Sequence, residues 1–239
     1  RNLVKSSAGS AQIKLSNLDI GKYTVKTYVD SYIYNTNNKT ASFDITPIHT
    51  NIVSQGAVFY LNNNMYYSVV LKDENGLVIP NVKVSLTINN KTVNKQTDSS
   101  GNASFKLDLS VGTFIANVAF DGNRYYIKSS LNKIITVKST ISLPAITKYT
   151  YGAVYTASLL DARGNVLKNK TVDVIIDDEV YKLSSGMNGD VNYIVNLTPD
   201  SYQITVTNSV TGELKSQTIN IVSRIGENKN LTMYYGAGS

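Results

Sequence analysis

The sequence predicts an all-β protein built of tandem β-sandwich repeats, and three observations predict it. A motif recurs at a fixed offset, short segments alternate apolar and polar residues, and tight-turn pairs separate those segments. The recurrence is the strongest of the three. Lys72-Asp73-Glu74-Asn75-Gly76-Leu77-Val78-Ile79 returns 88 residues later as Leu160-Asp161-Ala162-Arg163-Gly164-Asn165-Val166-Leu167. The same offset carries Gly101-Asn102-Ala103 onto Gly189-Asp190-Val191, and Gly112-Thr113-Phe114 onto Asp200-Ser201-Tyr202.

The ends of the chain fit the same pattern. Gly9-Ser10-Ala11, Gly21-Lys22-Tyr23 and Phe43-Asp44-Ile45 match the second half of a repeat, and Leu231-Thr232-Met233-Tyr234-Tyr235-Gly236 matches the opening run at Tyr149-Thr150-Tyr151-Gly152. The expected organisation is a partial repeat over 1–46, full repeats over 47–138 and 139–223, and the first strand of a further repeat over 224–239. With Arg1 and not Met at its start, the chain reads as an internal piece of a longer protein.

Within a repeat the runs have the two-residue period of strands. Tyr67, Val69 and Leu71 share one face, with Ser68, Val70 and Lys72 on the other. Val82, Val84, Leu86 and Ile88 alternate with Lys83, Ser85 and Thr87, and Val172, Val174 and Ile176 are their counterparts. Asn75-Gly76, Asn89-Asn90, Ser100-Gly101 and Asp121-Gly122 supply the turns. About seven short runs with turns at this spacing describe a β-sandwich, and no run has the period of a three-turn helix.

The layout Asp-x-x-Gly, alternating strand, Gly-x-Ala, Gly-x-Tyr/Phe, Gly-Asn-x-x-Tyr resembles the immunoglobulin-like repeats of archaeal adhesin-like cell-surface proteins, especially those of methanogens. It is similar, more distantly, to bacterial invasin- and intimin-type repeats. Asp73, Gly76, Asn81, Gly101, Ala103, Gly112, Phe114, Gly122, Asn123 and Tyr126 carry it, and then Asp161, Gly164, Asn169, Gly189 and Tyr202. The second full repeat departs from the layout: Pro199-Asp200 replaces Val111-Gly112, and the Gly-Asn-x-x-Tyr element is missing. The resemblance implies large, cell-anchored proteins that hold a contact surface away from the envelope.

Composition agrees with a globular chain. Hydrophobic residues make up 42% and charged residues 17% of 239, too apolar a mixture for a disordered segment. The net charge of +6 is spread over scattered lysines, which suits a solvated sheet surface. With no arginine cluster or recognition helix beside it, nucleic acid is not an expected partner. No apolar run is long enough for a transmembrane helix. The absence of cysteine excludes small disulfide scaffolds.

Residue types that would carry chemistry are scarce. His49 is the single histidine and stands beside the Pro47 junction, so no Ser-His-Asp or Cys-His site, zinc centre or other cofactor is predicted. Asp177-Asp178-Glu179 aligns with Asn89-Asn90-Lys91 and reads as a hairpin tip. Calcium would need Asp73, Glu74 and Asp121 to converge; the simpler role for Asp73 and Asp161 is accepting backbone N–H bonds in the turns they begin. A Lys–Asn isopeptide link would need a buried lysine, whereas Lys72 and Lys83 fall on outward phases. Tyr126 and Tyr202 are expected at the core edge, each hydroxyl on a backbone partner.

Two residue sets remain as candidates. Asn38, Asn90, Asn102, Asn169, Asn196 and Asn230 head Asn-x-Ser/Thr sequons and are candidate N-glycosylation acceptors. Tyr28, Tyr32, Tyr34, Tyr60, Tyr66, Tyr125 and Tyr126 are candidate contact aromatics for a glycan or protein. The expected function is a non-enzymatic stalk or filament segment at the cell surface, stiffened by short junctions at Thr46-Pro47 and Ser139-Thr140. Adhesion through tyrosine-rich strands is one alternative, and strand exchange between copies of the chain in a filament is the other.

Overall fold

In the computed structural model, which describes residues 10–28, 38–54 and 56–223, the chain is strand and turn, with no helix among the described residues. It forms two compact units: the described residues of 1–55, 68–104 and 117–132 in one, and those of 56–67, 105–116 and 133–239 in the other.

In the first unit β1 (Gly21–Thr27) and β2 (Lys39–Ile45) pair antiparallel. Tyr23 lies opposite Phe43, and their rings stack with centroids 5.6 Å apart. The chain continues through β3 (Thr50–Ser54), β4 (Val58–Tyr60), β5 (Tyr66–Asp73), β6 (Lys83–Ile88), β7 (Lys91–Gln96), β8 (Asn102–Lys106), β9 (Gly112–Phe120) and β10 (Ser129–Lys138). These eight strands make a sheet ordered β3-β5-β8 and a sheet ordered β4-β10-β9-β6-β7. The alternation read from the sequence sets which side chains are inside: Tyr67, Val69, Leu71, Val84, Leu86, Ala103, Phe105 and Val118 are all buried.

The second unit holds β11 (Ile141–Ser142), β12 (Lys148–Tyr149), β13 (Val154–Leu159), β14 (Thr171–Ile176), β15 (Glu179–Ser184), β16 (Asp190–Ile194), β17 (Ser201–Thr207) and β18 (Leu214–Ile221). Their sheets, β11-β13-β16 and β12-β18-β17-β14-β15, repeat the strand order of the preceding eight. One core lies between these two layers: Tyr155, Leu159 and Tyr193 from one sheet pack with Val174, Ile204 and Ile219 from the other. In both sets the opening segment splits, its first strand going to the three-stranded sheet and its second pairing parallel with the last strand of the five-stranded sheet. This is an immunoglobulin-like β-sandwich.

Backbone conformation accounts for the recurring sequence motifs. The hairpin tips Asn89-Asn90 and Asp177-Asp178 have positive φ at both residues, the turn whose twist matches antiparallel strands and which Asn and Asp tolerate. Gly101 and Gly189 also have positive φ, and a Cβ there would lie 2.8 Å from Leu71 O and 2.6 Å from Leu159 O respectively. Only glycine fits both the conformation and the space. Asp73 Oδ1 accepts N–H bonds from Asn75 and Leu77, each at 2.9 Å, and Asp161 Oδ1 accepts from Arg163 and Asn165, each at 2.8 Å. Asp98 Oδ1 does the same for Ser100 and Asn102, a third such turn.

Candidate functional site

The residues that lead into each sandwich are its most distinctive polar features. At the first linker the Gly122-Asn123-Arg124-Tyr125-Tyr126 loop is closed on itself: Asn123 N–H donates to Tyr126 O at 2.9 Å, and Asn123 Oδ1 accepts from the N–H groups of Tyr125 and Tyr126. The closed loop presents backbone groups to the incoming chain. Ile48 N–H donates to Tyr125 O and Ile127 N–H donates to Ile48 O, both at 2.9 Å. His49 is exposed, and its carbonyl accepts from Glu74 N–H. Thr50 Oγ1 lies 2.7 Å from both Ile127 O and Ser129 Oγ. Arg124 adds an exposed ion pair with Asp19.

The second linker has no Gly-Asn-x-x-Tyr loop and is held by a buried carboxylate. Glu213 is only 6% exposed. Its Oε1 accepts from Ser139 Oγ, and its Oε2 accepts from Thr140 N–H and from Thr140 Oγ1, all at 2.6 Å. Thr140 Oγ1 in turn accepts from Thr211 Oγ1 and from Asn208 Nδ2, each at 3.0 Å, and Asn208 Nδ2 also donates to Leu160 O. Lys215 Nζ donates to Ile141 O at 2.9 Å and approaches Ser139 Oγ at 3.4 Å. The Lys215 amine is therefore engaged by the linker backbone and a hydroxyl.

The sequence reading did not single out Glu213, Asn208 or Lys215. A signal was available. Glu213 and Lys215 share the strand phase of buried Ile219 and Ile221, whereas Leu214 on the opposite phase is exposed. Polar residues on an inward phase mark a place where the core edge is hydrogen-bonded.

The seven candidate aromatics divide by environment. Tyr28, Tyr66 and Tyr125 are 58%, 52% and 51% exposed and lie on three different elements: after β1, at the start of β5, and in the β9–β10 loop. Tyr60 is half-buried, its ring against Gly164 with Lys138 Nζ 6.0 Å from the centroid. Tyr126 is half-buried beside Ile48. Tyr32 and Tyr34 lie outside the described residues. Tyr202 differs from expectation: its hydroxyl meets the side chain of Thr198 at 2.9 Å, not a backbone group.

Of the sequons, Asn38, Asn90, Asn169 and Asn196 are exposed and Asn102 is half-buried. Asn90 sits on a hairpin tip, and Asn196 Oδ1 accepts from Tyr193 Oη. Asn230 lies outside the described residues, as does the expected opening strand over 224–239. Among the described residues no three His, Cys, Asp or Glu side chains group as metal ligands. Glu179 at the acidic hairpin tip accepts from Tyr181 Oη at 2.6 Å, which holds that phenol proton. No helix of the described residues is long and apolar enough to cross a membrane.

No family model matches the chain, and no curated protein matches it. Among solved structures it is similar to a Ca²⁺-stabilised adhesin with which an Antarctic bacterium binds ice, at 16% identity and a TM-score of 0.28, over 84% of this chain and 57% of that one. It is similar to a 1.5-MDa bacterial ice-binding adhesin at 14% identity and a TM-score of 0.31, over 84% and 74% of the two chains. It is also similar to invasin, a bacterial integrin-binding protein, at 17% identity and a TM-score of 0.30, over 73% of this chain and 39% of that one.

Proposed function

We propose that the chain is a non-enzymatic structural segment of a large adhesin-like protein at the cell surface, a stalk or filament that holds a contact surface away from the envelope. In this reading 47–138 and 139–223 are two copies of one folding unit, which their identical strand orders support. The observation that carries it is that neither linker is a free tether. Ile48 is bonded to Tyr125 and Ile127, and Ser139 and Thr140 are bonded to Glu213. Each linker is thus hydrogen-bonded to the sandwich that follows it, which leaves few rotatable residues to act as a hinge. The partners in this reading are neighbouring units of the same protein. The four exposed sequons would carry glycans in a host with the transferase. Antibodies raised against the purified chain are expected to label intact source cells at a distance from the envelope by immunogold microscopy. Labelling that requires lysis overturns the reading.

A second reading, adhesion to a glycan or protein, is favoured by the exposure of Tyr28, Tyr66 and Tyr125.

A further inference from the structure

We infer that the second sandwich carries a seat for an aromatic-tipped loop, and that the occupant is this chain's own segment 60–63. The seat has two parts, both turns of the sandwich. Gly164, in the turn opened by Asp161, lies under the Tyr60 ring so closely that a side chain of any kind at 164 would overlap ring carbons and the hydroxyl. Gly212, in the β17–β18 hairpin, lies against Asn63, whose Nδ2 would be 3.1 Å from a Cβ at that position. The flanks of the cleft beside them include Arg163 and Thr211.

The occupant is fixed at the linker. Tyr60 pairs with Lys138 between β4 and β10, Leu61 N–H donates to Lys138 O at 2.8 Å, and the Lys138 ammonium stands over the Tyr60 ring. Ser139 and Thr140 follow directly and are taken by Glu213, which adjoins Gly212. Ring seat and carboxylate latch therefore act on neighbouring points of the same stretch of chain.

What makes the seat specific is its counterpart. Gly76 holds the same turn position, 88 residues earlier, with nearly the same φ, +83° against +82° for Gly164, yet a Cβ there meets nothing within 4 Å. The turn conformation needs glycine, or asparagine at some cost, at both sites. The absence of a side chain is needed for packing only at Gly164. The inference concerns the path of this chain and stands whether or not the protein works at a cell surface.

The pair of glycines makes the test. Gly76→Asn and Gly164→Asn ask the same of the backbone, but only the second adds atoms under Tyr60. Nitration with tetranitromethane, read by peptide mass spectrometry with exposed Tyr66 as internal standard, reports the seat. In the unmodified chain and in Gly76→Asn, Tyr60 is expected to react several-fold more slowly than Tyr66. In Gly164→Asn the difference should disappear. Equal reactivity in the unmodified chain, or protection that survives Gly164→Asn, overturns the inference. Should Gly164→Asn fail to fold, Tyr60→Ala approaches from the other side. Amide exchange across 161–165 should then quicken while that of β14 stays unchanged, and no change across 161–165 overturns the seat.

Discussion

The two linkers occupy the same place in two sandwiches of the same strand order, and they are secured by different chemistry. Thr50 and Ser139 are equivalent, and so are the residues that meet them, Ser129 and Glu213. In the first sandwich that meeting is one hydroxyl on another, and Ile48 adds backbone bonds to a loop that Asn123 holds in shape. In the second the loop is gone, and one carboxylate accepts three hydrogen bonds from two linker residues. Where the backbone can pair, the side chain at this position matters little. Where it cannot, a charged acceptor takes over, because charge-assisted hydrogen bonds are about twice as strong as neutral ones.

The largest effect that would break this comparison is expected from Glu213→Ala. It strands Thr140 N–H and takes an acceptor from each of the two linker hydroxyls. Stranding a buried donor costs about 1–3 kcal/mol, and more where the lost hydrogen bonds ran to a charged group. Ser129→Ala removes one neutral hydroxyl contact and should cost about 1 kcal/mol. Native-state hydrogen exchange at Val174 and Val84 reads the two sandwiches separately. Equal losses in the two variants would show that the linkers are secured alike.

The difference between the linkers was only partly legible in the sequence. The strands were legible because burial on one face leaves a two-residue period, as at Tyr67, Val69 and Leu71. The turns were legible because positive φ restricts residue type, as at Gly101 and Gly189. The missing Gly-Asn-x-x-Tyr element was also visible; of its replacement only the inward phase of Glu213 was, and not its partners. Glu213 meets residues 73 and 74 positions earlier, and nothing local marks that pairing. Tyrosines posed the same difficulty: Tyr60 and Tyr66 are alike by type, and a glycine about a hundred residues away decides that one ring is covered. The asparagine and aspartate of the turns were easier, because their partners lie two to four residues on.

A smaller effect sharpens the comparison inside the two cores. Tyr67 and Tyr155 are equivalent, and each buries its hydroxyl without closing a hydrogen bond. Beside Tyr155 stands the Gln217 side chain, and burial, reinforced by Tyr149, pushes the Tyr155 phenol well above its ordinary value. An unsatisfied buried polar atom costs about 1–3 kcal/mol. Tyr67→Phe is therefore expected to stabilise its sandwich by about 1 kcal/mol. Tyr155→Phe should gain less, because it leaves the buried Gln217 Nε2 with no polar neighbour at that position. Thermal unfolding of the two variants checks the order, and a greater gain from Tyr155→Phe would reverse it.

The smallest effect separates turns from linkers by pH. The N–H groups of Asn102 and then Ser100 hold the Asp98 carboxyl below its ordinary value. At Asp161 burial acts the other way, but the N–H groups of Asn165 and Arg163, with the Asn165 amide and the Arg163 charge, outweigh it. A carboxyl whose folded value is depressed contributes stability above its unfolded value, near pH 4, and that contribution is lost as the pH falls through the lower folded value. Asp98 is exposed and Asp161 half-buried in a surface turn, so the contribution is slight. The expected result is a loss confined to the range below about pH 4, and smaller in Asp98→Asn and Asp161→Asn, whose amide oxygens still accept but do not titrate. Urea midpoints followed from about pH 5 to about pH 2 provide the check. An unchanged acid slope in both variants would mean that these turns contribute nothing to it.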